Sequence, residues 1–156
     1  MFTDILEEQF FLSHINNNHT VLEYGSGEST VQLSKLSKSV VSIEHQSQWY
    51  NKIKNQINNN CKLILKEPDQ EYKEGGDCGS YDQFYSYINA PLEFAPYDII
   101  LIDGRARVHC AKICYKLGHK DTLIFVHDWH RKEYHIITEY LKLIDVKNTM
   151  AKFQLI

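Results

Sequence analysis

Arginine, proline and glycine are scarce in this sequence, and long apolar runs and paired cysteines are missing. Only 3 prolines and 7 glycines occur in 156 residues, while 43% of the chain is hydrophobic and 24% charged. That balance excludes a disordered or collagen-like chain and fits one compact domain over residues 1–156. No stretch approaches the roughly 20 apolar residues of a membrane-spanning helix, so no membrane partner is expected. Cys61, Cys78, Cys110 and Cys114 form no C-x-x-C pair and no disulfide-rich spacing. The opening MFTDILEEQFFLSH lacks the basic start, apolar run and cleavage site of a secretory signal, which makes a reducing, cytoplasmic setting the expectation. Basic charge is not in excess either. With 17 basic and 20 acidic residues the net charge is −3, which argues against nucleic acid as a partner.

The scarcity of arginine is the most specific of these. Lysine outnumbers it 14 to 3, and Arg105, Arg107 and Arg131 all fall in the last third of the chain. A planar guanidinium fork retained in so few places points to sites where its geometry matters.

What is present is a regular alternation of periods. Residues 3–13 have helical spacing, with Thr3 as the expected N-cap. Short apolar, β-branched runs at 21–24, 40–44, 61–65, 97–102 and 122–126 read as buried strands, separated by helical stretches near 28–38, 46–57 and 106–117. Residues 66–94 carry no strong period but hold Gly75, Gly76 and several aromatics, and Tyr81, Phe84, Tyr85 and Ile88 fit a helix stripe that reads as core. A last helix near 131–142 precedes two short strands near 143–147 and 151–156. The pattern predicts an α/β fold: a single Rossmann-like domain, its central sheet mainly parallel with helices on both faces, closed by a C-terminal antiparallel hairpin.

Ligands of open parallel sheets bind beyond the carboxyl ends of the strands. The first strand ends in Glu23-Tyr24-Gly25-Ser26-Gly27-Glu28-Ser29-Thr30, the second in Glu44-His45, the fourth in Asp103-Gly104-Arg105, and the fifth in His127-Asp128 with Arg131 just beyond. Gly25 and Gly27 permit a tight turn and close approach of a ligand. Glu44, 21 residues after Glu23, stands where a carboxylate accepts both hydroxyls of a ribose. Thr30 replaces the third glycine of a dinucleotide loop, and Glu28 would repel a pyrophosphate, so a cationic adenosine ligand fits better than NAD.

With VLEYGSGEST, the Glu44 spacing, YDIILIDG and TLIFVHDW in view, residues 20–142 resemble class I S-adenosylmethionine-dependent methyltransferases. The resemblance implies S-adenosylmethionine as cofactor, with Glu23, Tyr24, Gly25, Ser26, Gly27, Ser29, Thr30, Glu44, His45 and Asp103 as its binding residues. A narrower similarity to sugar and macrocin-type O-methyltransferases implies magnesium at Asp103 and Asp128, and O-methylation of a small molecule such as a sugar. In those enzymes an acid commonly holds the place of His127. Imidazole suits zinc, iron or no metal, so Asp103, His127 and Asp128 read either as a metal set or as groups that orient and deprotonate the acceptor. His109 and His130 are the other candidate bases, and neighbours on a strand face opposite ways, so His127 and Asp128 need not share a wall. Arg105 and Arg131 complete the candidate catalytic set and read either as anchors for an anionic acceptor, an acidic or nucleotide-linked sugar among them, or as scaffold paired with Asp103 or Asp128, whereas scaffold is the first reading of Arg107. Two rival readings are a catalytically inactive S-adenosylmethionine-binding module and a nucleotide-dependent oxidoreductase or sugar-nucleotide enzyme on the same fold class. A homodimer that completes the pocket is a further expectation.

Overall fold

The computed structural model describes residue 2, residues 4–74 and residues 78–156. Its seven strands are β1 (Thr20–Tyr24), β2 (Ser39–Glu44), β3 (Cys61–Leu65), β4 (Tyr97–Ile102), β5 (Gly118–Val126), β6 (Leu141–Lys147) and β7 (Met150–Leu155). They form one sheet in the order β3-β2-β1-β4-β5-β7-β6. β1 to β5 pair in parallel, and β7 runs antiparallel to both β5 and β6. The chain therefore has a single Rossmann-like α/β domain with an antiparallel C-terminal pair. Chain order reverses on either side of β1, which makes the gap between β1 and β4 the topological switch point.

Period-two alternation explains how the strands are buried. Ile100 and Ile102 pack on one face of the sheet with Leu22, Tyr24, Ile124 and Val126. Ile99 and Leu101 pack on the other with Val21, Val40 and Phe125. The first face is covered by α4 (Tyr85–Asn89), α5 (Arg107–Lys112) and α6 (Cys114–Leu117), which supply Tyr87, Ile88, Cys110, Ala111, Cys114 and Leu117. The second is covered by α1 (Ile5–Leu12) and α2 (Glu28–Leu36), through Phe11 and Leu33. The remaining α-helix, α3 (Ser47–Ile53), links β2 to β3. No helix of the described residues is long and apolar enough to cross a membrane.

Several local expectations change. Asp4 caps α1 by accepting from Leu6 N, while Thr3, Gly75 and Gly76 lie outside the described residues. The expected helix at 131–142 is a 3-10 segment, Lys132–Glu139, where the β-branched run Ile136-Ile137-Thr138 weakens α-helical preference. Of the aromatic stripe, Phe84 and Ile88 are fully buried, but Tyr81 and Tyr85 are exposed.

Candidate active site

Two loops meet over the switch point. Gly25 takes φ +95°, and a Cβ there would lie 2.8 Å from Gly104 Cα and 2.9 Å from Asp103 O. Only glycine lets the β1 loop adopt that conformation and touch the β4 loop. Beside this contact opens a crevice of about 390 Å³, lined by Gly25, Ser26, Gly27, Glu44, His45 and Asp103, among others. Its rim carries Arg105, Arg107 and Arg131. Those three arginines also line an adjoining cavity of about 370 Å³, walled further by Ala106, Val108, His109 and Tyr134.

Glu44 ends β2 at the floor of the crevice and is 2% exposed. Its Oε2 accepts from the backbone N–H of Ser26 at 3.0 Å and from the Ser26 hydroxyl, and its Oε1 accepts from the amides of His45 and Gln46 at 2.8 and 2.9 Å. Burial alone would raise its pKa, but these hydrogen bonds win and hold the carboxyl below its ordinary range. His45 Nδ1 is buried 3.3 Å from Glu44 Oε1 without a hydrogen bond of good geometry among the described residues. Across the crevice mouth, Glu74 spans from His45 Nε2 at 2.8 Å to Arg105 Nη2 at 3.0 Å.

Four of the expected cofactor residues turn their side chains elsewhere. Glu23 shares the sheet face of Val21, towards α2, and is fully buried. It accepts from the hydroxyls of Ser29, of Thr30 at 2.5 Å and of Ser42 at 2.7 Å. Burial pushes its pKa up to about 7 against these donors. Thr30 in turn accepts from Gly27 N at 3.0 Å, so Ser29 and Thr30 brace the glycine loop from beneath. Tyr24 points to the opposite face, where its hydroxyl donates to Ile88 O at 2.7 Å. The side chains of Glu23, Tyr24, Ser29 and Thr30 are therefore supports of the loop, a correction that follows from the strand's alternation.

The expected catalytic set divides as well. His127 continues β5 on the face of Phe125, pointing to α1 and lining neither cavity. Its Nδ1 lies 2.9 Å from Asp103 Oδ1 and its Nε2 lies 3.2 Å from Glu7 Oε2. Burial opposes charge on the ring, but Asp103, Asp128 and Glu7 overcome it and hold the imidazole pKa above its ordinary value. An imidazole with both nitrogens committed to carboxylates is not a base for a substrate in the crevice. Glu7 was not visible as a site residue in the sequence; an acid on the inner side of α1 was the available signal. Its other oxygen accepts from Thr149, which ties α1 to the turn before β7.

Arg107 lies at the centre of the remaining acids. Ala106 precedes it in the left-handed conformation, φ 51°, and redirects the chain into α5. Arg107 Nη1 lies 3.0 Å from Asp128 Oδ2 and donates to His127 O at 2.7 Å, Nε donates to Gly104 O at 2.9 Å, and Nη2 lies 3.6 Å from Asp103 Oδ1. Asp128 forms no part of either cavity wall. Burial would raise the Asp103 pKa, but His127 and Arg107 hold it below the usual range.

Donor atoms of Asp103, His127 and Asp128 lie within 4.8 Å of one another, which is ligand spacing. The set nevertheless does not fit magnesium. A guanidinium already sits against both carboxylates, and His127 Nδ1 is engaged with Asp103 rather than open to an ion. A divalent cation there would meet the fixed positive charge of Arg107, and imidazole is a poor magnesium ligand. The magnesium expectation is corrected on that ground.

Open doubly wound sheets with a crevice at the switch point form a broad class of nucleotide- and cofactor-binding proteins. Within it, the solved structures similar to this chain include several described as methyltransferases. A methyltransferase-like protein from Silicibacter pomeroyi is 25% identical with a TM-score of 0.75, over 99% of this chain and 88% of that one. A TehB-like SAM-dependent methyltransferase from Corynebacterium glutamicum is 12% identical with a TM-score of 0.63, over 98% and 89%. A Streptococcus mutans protein in complex with SAH is 14% identical with a TM-score of 0.62, over the full length of both chains. No protein-family model and no curated protein matches the chain. This chain has the class I methyltransferase fold.

Proposed function

We propose that this protein is an S-adenosylmethionine-dependent methyltransferase acting on an oxygen of a small molecule, with a sugar derivative among the acceptors that fit. The observation that carries the reading is the crevice itself. A glycine loop after β1 faces an ionised, buried carboxylate at the tip of β2, in a fold shared with a protein solved in complex with SAH.

Glu44 is positioned for the ribose hydroxyls, and Gly25 to Gly27 for close backbone approach by the methionine part. Glu28 at the first position of α2 and Asp103 at the tip of β4 add carboxylates beside the glycine loop, suited to the cationic part of the ligand, while the three arginines stand at the rim. The same glutamate opposes a pyrophosphate, and Thr30, its hydroxyl held between Gly27 N and Glu23, stands where a dinucleotide loop has its third glycine, so the nicotinamide reading loses ground. Once bound, S-adenosylmethionine supplies an electrophilic methyl group on a sulfonium sulfur, whose bonding pair returns to sulfur as the acceptor oxygen takes the carbon.

The residues then have the task of positioning the acceptor and receiving its proton. His127 is not that receiver. His109 is the histidine that lines the cavity beside the crevice, and burial, reinforced by Lys112, lowers its pKa. A neutral imidazole at neutral pH is ready to accept a hydroxyl proton. His109 therefore takes the base role in this proposal.

Calorimetric titration of S-adenosylhomocysteine, with and without EDTA, tests the central claim. Micromolar binding that EDTA leaves unchanged is expected, and no binding beside a working control would overturn the reading.

A further inference from the structure

We infer that the methyl acceptor is an anion, a small organic acid or phosphate ester whose charged group sits between Arg105 and Arg131; the assignment rests on the methyltransferase reading above. All 3 arginines of the chain line the cavity beside the crevice, and none of its 14 lysines does. A chain that uses lysine almost everywhere else has kept guanidinium groups at this one place.

The three are not equivalent. Arg107 is 8% exposed and is saturated by Asp103, Asp128 and two backbone carbonyls, so its charge is already balanced. Arg105 engages Glu74 through Nη2 alone and packs 5.6 Å from the centre of the Tyr72 ring. Arg131 is exposed and forms no ion pair among the described residues. Both Arg105 and Arg131 line the crevice as well as the cavity, so they stand where the two spaces adjoin. An acceptor seated in the cavity would have to reach past them for its oxygen to meet a methyl group held in the crevice.

The two spaces share the three arginines and differ in their acids. The crevice sets Glu28, Glu44 and Asp103 beside them, whereas the cavity has Glu133 as its acid against Arg105, Arg107 and Arg131. The excess of guanidinium over carboxylate is therefore on the cavity side, where an anionic acceptor would be favoured. Guanidinium forks bind carboxylate and phosphate in two-point fashion. Around them, Ala106, Val108 and the ring of Tyr134 give the rest of the acceptor an apolar bed, in a volume typical of small-molecule sites.

The test uses the full chain saturated with S-adenosylhomocysteine, titrated calorimetrically with inorganic phosphate, benzoate and neutral benzamide. Saturable binding of at least one anion, exclusion of benzamide, and at least tenfold weaker anion binding in Arg105→Gln and Arg131→Gln are expected; tenfold is about 1.4 kcal/mol. Preference for phosphate or for benzoate distinguishes a phosphate ester from a carboxylic acid. Arg131→Lys retains charge without the fork and guards against a variant that fails to fold. Benzamide binding as well as benzoate, no anion binding at all, or anion binding indifferent to both glutamine substitutions would overturn the assignment while leaving S-adenosylhomocysteine binding intact. Loss of S-adenosylhomocysteine binding itself, with the anions still bound, would instead overturn the methyltransferase reading and the acceptor assignment with it.

Discussion

Glu7 and His127 lie 120 residues apart in sequence and 3.2 Å apart in the fold, their side chains buried between α1 and the tip of β5. The contact joins the first helix to the centre of the sheet and leaves His127 bridging two carboxylates, Glu7 on one ring nitrogen and Asp103 on the other. The imidazole thereby positions Asp103 at the crevice without lining the crevice itself.

A pH signature in stability follows from that bridge. The folded pKa of His127 is raised above its unfolded value of about 6.5, so the folded state binds the proton more tightly. Its contribution is fully present below about pH 6.5 and is lost as pH rises through the higher folded value. Urea unfolding of wild type and His127→Gln should therefore differ most near pH 6, by about 3 kcal/mol for a broken buried ion pair, and converge towards pH 9. A difference that stays constant over this range would remove the charged bridge.

Arg107 supplies the second prediction. Removing its guanidinium leaves Asp103 and Asp128 facing each other without the cation that separates them. Arg107→Ala should lose about 3 kcal/mol of stability, and manganese should recover part of it, with binding seen by electron paramagnetic resonance. Wild type should show no such binding at the same concentrations. Equal manganese binding by both proteins would mean that the guanidinium does not block the acid cluster.

The fold was readable because β1, β2, β4 and β5 are near-continuous apolar runs, which only a sheet covered on both faces can use. The crevice was readable because the strand-end rule places Gly25, Glu44 and Asp103 together without knowledge of any contact. Side-chain direction at the strand tips was harder. Alternation fixes it only once the burial of a preceding residue is known, as Val21 fixes Glu23 and Phe125 fixes His127. The destination of Arg107 was beyond that reach, since it depends on the left-handed turn at Ala106. The Glu7 contact required the docking of α1, to which a local pattern is blind.

Glu23 and Glu44 separate support from binding. Glu44→Ala should weaken S-adenosylhomocysteine binding at least tenfold, within the range of about 1.5–3 kcal/mol for hydrogen bonds to a charged group. Glu23→Gln should leave that affinity nearly unchanged and act on stability instead. The folded pKa of Glu23 is raised to about 7, so wild-type folding loses stability through this group as pH rises from about 4.5 to about 7. The glutamine variant lacks that loss and should gain on wild type over the same window in denaturant titrations. A large affinity defect in Glu23→Gln would restore this carboxylate to the binding surface.

His109 carries the last prediction, because the base assignment separates two explanations of how an acceptor hydroxyl is deprotonated. If His109 receives the proton, His109→Gln should lower kcat by about 100-fold, the usual scale of general-base catalysis, while S-adenosylhomocysteine affinity and the unfolding midpoint stay near wild type. The acidic limb of the pH–rate profile should vanish with it, since the imidazole must be neutral to act and its pKa is depressed. Its exposed neighbour Tyr81, whose ring centre lies 5.8 Å away, offers a control: Tyr81→Leu removes the edge-to-face contact and leaves the imidazole in place. A His109→Gln enzyme with full kcat and an unchanged profile would mean that the acceptor arrives already ionised. That result would fit a carboxylate held by Arg105 and Arg131, whose oxygen needs no base at all.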